Sequence, residues 1–167
     1  GYAIPGTVLG LGVLIVLSQF DNLSSQLLNI SFLPILSGSV FALIFAYSLR
    51  FLSISFGTFE AELSRIPKTT DMAASTLGAR TLQLLKLVHL PMLRPALITA
   101  SVLVFVDTMK ELPATLILRP FNFETLATQV YNYASVGQIE DAALPALIIV
   151  GIGIIPVFVA SRKLHHL

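Results

Sequence analysis

Three apolar runs without a single formal charge, residues 1–20, 22–49 and 142–161, constrain this chain more than any other feature. Each is long enough to cross a hydrocarbon core about 30 Å thick, which takes about 20 apolar residues in a helix. A water-soluble fold would need a polar face on each helix, and the composition does not supply it: 11% of the 167 residues are charged, against about 25% in soluble domains. The mean hydropathy of +0.86 fits a membrane protein of one domain. Ten Lys and Arg against nine Asp and Glu leave no basic field for nucleic acid. The lack of cysteine removes disulfides, thiolate metal sites and cysteine nucleophiles together.

A fourth apolar run, residues 95–106, meets Asp107, Lys110 and Glu111 before it reaches full spanning length. Read as a span over 95–113, it places Asp107 about 18 Å and Glu111 about 24 Å from Pro95, toward the far interface. The chain is then an all-α membrane protein with spans at about 1–20, 31–49, 95–113 and 141–161, joined by a long loop over 50–94. Basic residues in short loops stay on the cytoplasmic side. Arg50, Arg65, Lys68, Arg80, Lys86 and Arg94 fall in that loop, the first connector has none, and Arg162 and Lys163 follow the last span. Four crossings therefore leave the loop and both ends inside. Gly1 is not an initiator methionine, and residues 1–20 lack the basic leader and cleavage site of a signal peptide. A chain that opens inside a crossing reads as the carboxyl-terminal part of a longer protein, with helices missing upstream.

The inside loop has helical texture. Leu52, Phe56, Phe59, Leu63 and Ile66 stripe one face, so the second span continues inward until Pro67. Lys68 to Gly78 then reads as a short helix, capped by Thr69 or Thr70, with Asp71 in its first turn and Gly78 as its left-handed stop. Ala73 and Ala74 keep its middle small enough to seat in a groove of another protein. A second run from Arg80 to Leu90 ends at Pro91, and Pro95 opens the next span.

Ala73-Ala74, three residues, Gly78, nine residues, Val88, one residue, then Leu90-Pro91 resembles the EAA motif of ABC-importer permease subunits. Met72 stands where that family has Glu, with Asp71 immediately before it, and Val88 replaces an isoleucine. A carboxylate has either moved by one residue or a polar contact has been weakened. Lys110 to Pro120, Phe123 to Ala127, Val130-Tyr131 and the opening Tyr2 to Val8 are similar to ferric-iron permeases of the same family. The resemblance implies a partial type I importer transmembrane domain in a bacterial inner membrane, with a cytoplasmic coupling helix. It implies ABC ATPase subunits contacting Asp71, Met72, Ala73, Ala74, Gly78, Val88, Leu90 and Pro91. A periplasmic solute-binding protein on the outer side completes the set of partners. Ferric iron is the implied cargo, and permeases for phosphonates, thiamine or other anions share much of the frame.

Asp107, Lys110 and Glu111 lie three and four residues apart, so on a continuous helix they share a face and Lys110 neutralises a carboxylate. They are either a local stabilising cluster or pathway and gate residues, since ionisable groups in a span must face water or partners. Beyond Pro113, Asn122 can cap a helix that carries Leu126, Ala127, Val130, Tyr131 and Ala134 on one face and stops near Gly137. That helix is placed to plug the path or to receive a solute-binding protein. Glu124, Tyr131 and Tyr133 offer oxygen atoms suited to ferric iron, or serve as interfacial belt residues. His89 and the His165-His166 pair lack metal-site spacing and read as solvated. No phosphate-binding loop is present, so no catalytic residue or cofactor is expected in this chain, and ATP and Mg²⁺ belong to the partner ATPase. The rival reading is an ion-coupled secondary carrier that uses Asp107 or Glu111 as a proton relay.

Overall fold

The computed structural model describes residues 3–28 and 36–164. Gly1, Tyr2, the expected start of the second span at 31–35, and the His165-His166 pair lie outside the described residues. All regular structure among those described is helical: α1 (Gly6–Leu28), α2 (Val40–Leu63), α3 (Lys68–Thr76), α4 (Thr81–Leu84), a π-helical stretch (Leu85–His89), α5 (Leu90–Met92), α6 (Arg94–Met109), α7 (Pro113–Leu118), α8 (Leu126–Ser135) and α9 (Ile139–Leu164). α1, α2 and α9 are long and apolar enough to cross a membrane. A fourth crossing can be counted only across a bend of 59°, between the helical turns of 81–92 and α6.

The helices ignore the charges that delimit the apolar runs. α1 passes through Asp21 because that carboxylate is consumed at once: it accepts the Leu36 and Ser37 amides at 3.0 and 2.9 Å and the Ser37 hydroxyl at 2.8 Å. Asp21 thus fastens α1 to the turn that leads into α2. Likewise α2 runs through Arg50 to Leu63, as the apolar stripe beyond residue 50 requires. Arg50 therefore belongs to the body of a helix, not to a loop. About 15 Å of α2 precede it and about 20 Å follow.

Val13 and Leu17 of α1, Ala42, Leu43 and Ala46 of α2, and Leu118 of α7 form one buried cluster. Small residues on α2 let the three backbones approach, which is how helices associate where lipid removes the hydrophobic drive between them. α6 lies along the second half of α2, where Leu97, Ala100 and Val104 face Ser55 and Phe59. α8 packs on α9, with Ala127 and Ala142 buried. Most large apolar side chains of α1 and α9 remain exposed.

Candidate functional site

The inner loop is built around α3. Its amino end is set by Pro67 in extended conformation, not by Thr69 or Thr70. Proline holds the backbone extended just before the first turn, and its carbonyl accepts the Thr70 amide at 3.0 Å. The carboxyl end follows the expected stop. Gly78 takes φ +81°, its amide donates to Ser75 and the Ala79 amide to Ala74, both at 3.0 Å. That pair of bonds is a Schellman closure. Beyond it, the Gln83 side chain reaches back to accept the Arg80 amide at 2.9 Å and starts α4.

The second run does not end at Pro91. The helix widens into the π-helical stretch, where the Leu90 amide reaches back to Leu85, and continues through Pro91 to Met92 before it bends. The wider turn accommodates a proline that has no amide to give to the preceding turn. Val88 is half-buried, whereas Leu90 and Pro91 are exposed. His89 is not solvated: its Nε2 lies 3.1 Å from Asp71 Oδ1 and its side chain is 17% exposed. This contact ties α3 to the π-helical stretch and hence to α6. Met72, Ala73 and Leu77 stay exposed, Leu77 at 88%.

The charged end of α6 departs from the expected single face. Pro113 has no amide to donate to Met109, so α6 stops there and α7 restarts at Pro113. Asp107 and Lys110 pair at 2.7 Å near the surface. Glu111 turns away from them into the protein, where it is 7% exposed. Its Oε2 lies 3.2 Å from Arg50 Nε, its Oε1 accepts the Ala114 amide at 3.3 Å, and its carbonyl accepts the Thr115 hydroxyl at 2.6 Å. With that proton committed, the Tyr47 hydroxyl donates to Thr115 Oγ1. Arg50 Nη1 also donates to the Ile4 carbonyl at 3.0 Å. The junction lies beside the middle of α2. Gly6 and Gly10 let α7 approach α1: a Cβ at Gly6 would lie 2.7 Å from Glu111 Oε1, and one at Gly10 would lie 3.3 Å from Ala114 Cα.

On the α7–α8 side, Thr125 caps α8 in place of Asn122. Thr125 Oγ1 accepts the Thr128 amide at 3.2 Å and Thr128 Oγ1 accepts the Thr125 amide at 2.8 Å. Asn122 instead occupies the left-handed region, φ 59°, in the preceding turn. Ala127 and Thr128 are buried, whereas Tyr131 and Ala134 are exposed, so the packed face is rotated from the expected one. Glu124 is occupied by Thr128 at 2.6 Å, by Asn132 at 3.3 Å and by the Arg119 guanidinium. The Thr128 hydroxyl, and after it Arg119, hold this carboxyl below its ordinary pKa. Among the described residues no cluster of three or more His, Cys, Asp or Glu is placed to hold a metal ion. Thr125→Val should weaken α8 by about 1 kcal/mol, the typical loss of a cap. Faster amide exchange confined to residues 126–129 would register it.

No family model matches the chain. It is 28% identical over 161 residues to the Fe(3+)-transport system permease protein FbpB 2 of Haemophilus influenzae, covering 96% of this chain and 29% of that protein. It is 28% identical over 151 residues to the putative 2-aminoethylphosphonate transport system permease protein PhnV of Salmonella typhimurium, covering 90% of this chain and 52% of that protein. The ferric transport system permease protein FbpB of Actinobacillus pleuropneumoniae is 31% identical over 102 residues, 61% of this chain and 15% of that protein. The resemblance to ABC-importer permeases holds. The chain spans about half or less of the length of these relatives. Its all-helical architecture, with three or four apolar helices among the described residues able to cross a membrane, agrees with that resemblance.

Proposed function

We propose that this chain forms part of the membrane-embedded permease of an ATP-driven importer, in a bacterial inner membrane. Asp71, Met72, Ala73, Ala74, Gly78, Val88, Leu90 and Pro91 make the surface that engages a separate ATPase. ATP and Mg²⁺ act on that partner, and a periplasmic binding protein delivers cargo to the other side. The observation that carries the reading is α3 itself: a short helix closed at Gly78, exposing Met72, Ala73 and Leu77, and tied by Asp71 and His89 to the π-helical stretch that leads across the 59° bend into α6. A helix so tethered can pass a displacement of the ATPase into the apolar helices.

Orientation follows from charge. With Arg50 in the body of α2, Arg65, Lys68, Arg80 and Lys86 still fall between α2 and α6, and Arg94 opens α6; with four crossings this bias favours this loop and both ends on the cytoplasmic side. Ferric iron is the cargo favoured by the names of two of the relatives, and a phosphonate is favoured by the third. Competition between the two in uptake assays separates them. A secondary carrier gains little support, because Asp107 and Glu111 are each held by a cation.

These 167 residues contain no cysteine, so a single introduced one reports on this loop once any cysteines elsewhere in the transporter are replaced. Leu77→Cys, in the full transporter, should be labelled from the cytoplasmic side and cross-link to the ATPase subunit, with a yield that changes when nucleotide binds. Labelling from the outside, or cross-links that never include the ATPase, would overturn the reading.

A further inference from the structure

A mechanical importer needs a point at which motion of the inner loop reaches the rest of the membrane domain, and the break between α6 and α7 is built for this. α2 is a continuous rod. α6 lies along its second half, and α7 packs on its first half together with α1. The two short helices are joined only by Lys110, Glu111 and Leu112, so the rod they form has a joint at the level of Arg50. Three elements meet there. Arg50 of α2 holds the Ile4 carbonyl ahead of α1 and the Glu111 carboxylate, which in turn holds the Ala114 amide at the start of α7. Tyr47, one turn before Arg50 on α2, bonds Thr115 on α7, whose hydroxyl donates to the Glu111 carbonyl.

A buried ion pair adds little net stability over an apolar pair of the same volume, yet separating its members leaves each charge uncompensated. Such a pair resists being pulled apart while its side-chain torsions still allow rotation. We infer that the Arg50–Glu111 pair is the pin of a joint between α6 and α7, through which displacement of the inner loop is passed to the α1–α7 half of the fold. Arg50 is thus a positioning residue that acts through Glu111, and Glu111 is not a ligand for cargo. This inference rests on the proposed importer function.

The test removes the charges in a balanced way. In Arg50→Gln with Glu111→Gln, the two amides can hydrogen-bond to each other, no buried charge is left alone, and the Gln oxygen can still accept the Ala114 amide. The full transporter carrying both changes should insert and retain its ATPase at wild-type levels, yet ATP-driven uptake should fall by about tenfold, a coupling loss of ordinary size. Spin labels at Leu103→Cys and Phe121→Cys, two exposed positions on α6 and beyond α7, should give a narrow distance distribution in the otherwise wild-type protein and a broadened one in the double variant. Undiminished uptake, a loss strictly proportional to the protein inserted, or an unchanged distance distribution would overturn the pin. Wild-type protein with no ATP-driven uptake would overturn the importer reading, and the label distances would still decide the pin.

Discussion

Ala73→Arg is expected to strip the ATPase from the purified transporter while leaving the amount of inserted permease unchanged. Ala73 is exposed on a helix whose ends are closed independently of it, by Pro67 at one end and by the Gly78 and Ala79 amides at the other. A long cationic side chain therefore has room in the free permease, and on the proposed docking it would hold the ATPase away from the small middle of α3. Loss of one central anchor in a contact costs at least about 2 kcal/mol, a drop of roughly thirtyfold in affinity. Quantified co-purification of the ATPase checks it, and full retention would remove α3 from the docking surface. Ala73 makes a cleaner site than Gly78, where φ +81° would strain any replacement before a partner was met.

Gly6→Leu should be the most damaging single change in the packed interior. The new Cβ would sit 2.7 Å from Glu111 Oε1 and 3.2 Å from both Arg50 Nη1 and Pro113 Cβ. None of the three can retreat cheaply, since the carboxylate and guanidinium hold each other and Pro113 starts α7. Overpacking alone costs about 1–3 kcal/mol, and forcing the buried pair apart adds about 3–5 kcal/mol. Thermal unfolding in detergent should show a large drop in midpoint. Gly12→Leu, on the same helix with nothing within 4 Å of its added Cβ, should leave the midpoint unchanged or slightly raised. Equal effects at both positions would mean that α1 and α7 do not pack closely.

Local chemistry was readable where neighbours in sequence are also partners in space. Gly78 marks its own stop, because a glycine after a short helical run takes the left-handed turn at no steric cost. The stripe from Leu52 to Leu63 announces the continuation of α2, since period and helix agree. Pro113 likewise announces a break, but not where the chain goes after it. Spacing put Glu111 beside Lys110, whereas the broken helix turned it toward an arginine on α2. No periodicity could report that contact. His89 illustrates the same limit: nothing near it in sequence suggests Asp71, and only the fold-back of α3 onto the π-helical stretch brings them together. For α8, Asn122 and Thr125 are both competent caps, and the choice fell to Thr125 through reciprocal bonds with Thr128 and its tie to Glu124.

The sequence by itself determined that the chain is helical and apolar enough to cross a membrane, and that one charged loop carries a compact capped helix. Both follow from hydropathy and backbone preference, which act over a few neighbouring residues. Only the tertiary structure decided which charges are buried together, where α6 breaks relative to α2, and which faces of α1 and α7 touch. Those outcomes depend on close approach between distant segments. A glycine without a Cβ, or a carboxylate that must find a cation once water is excluded, selects one arrangement among many that the local pattern allows.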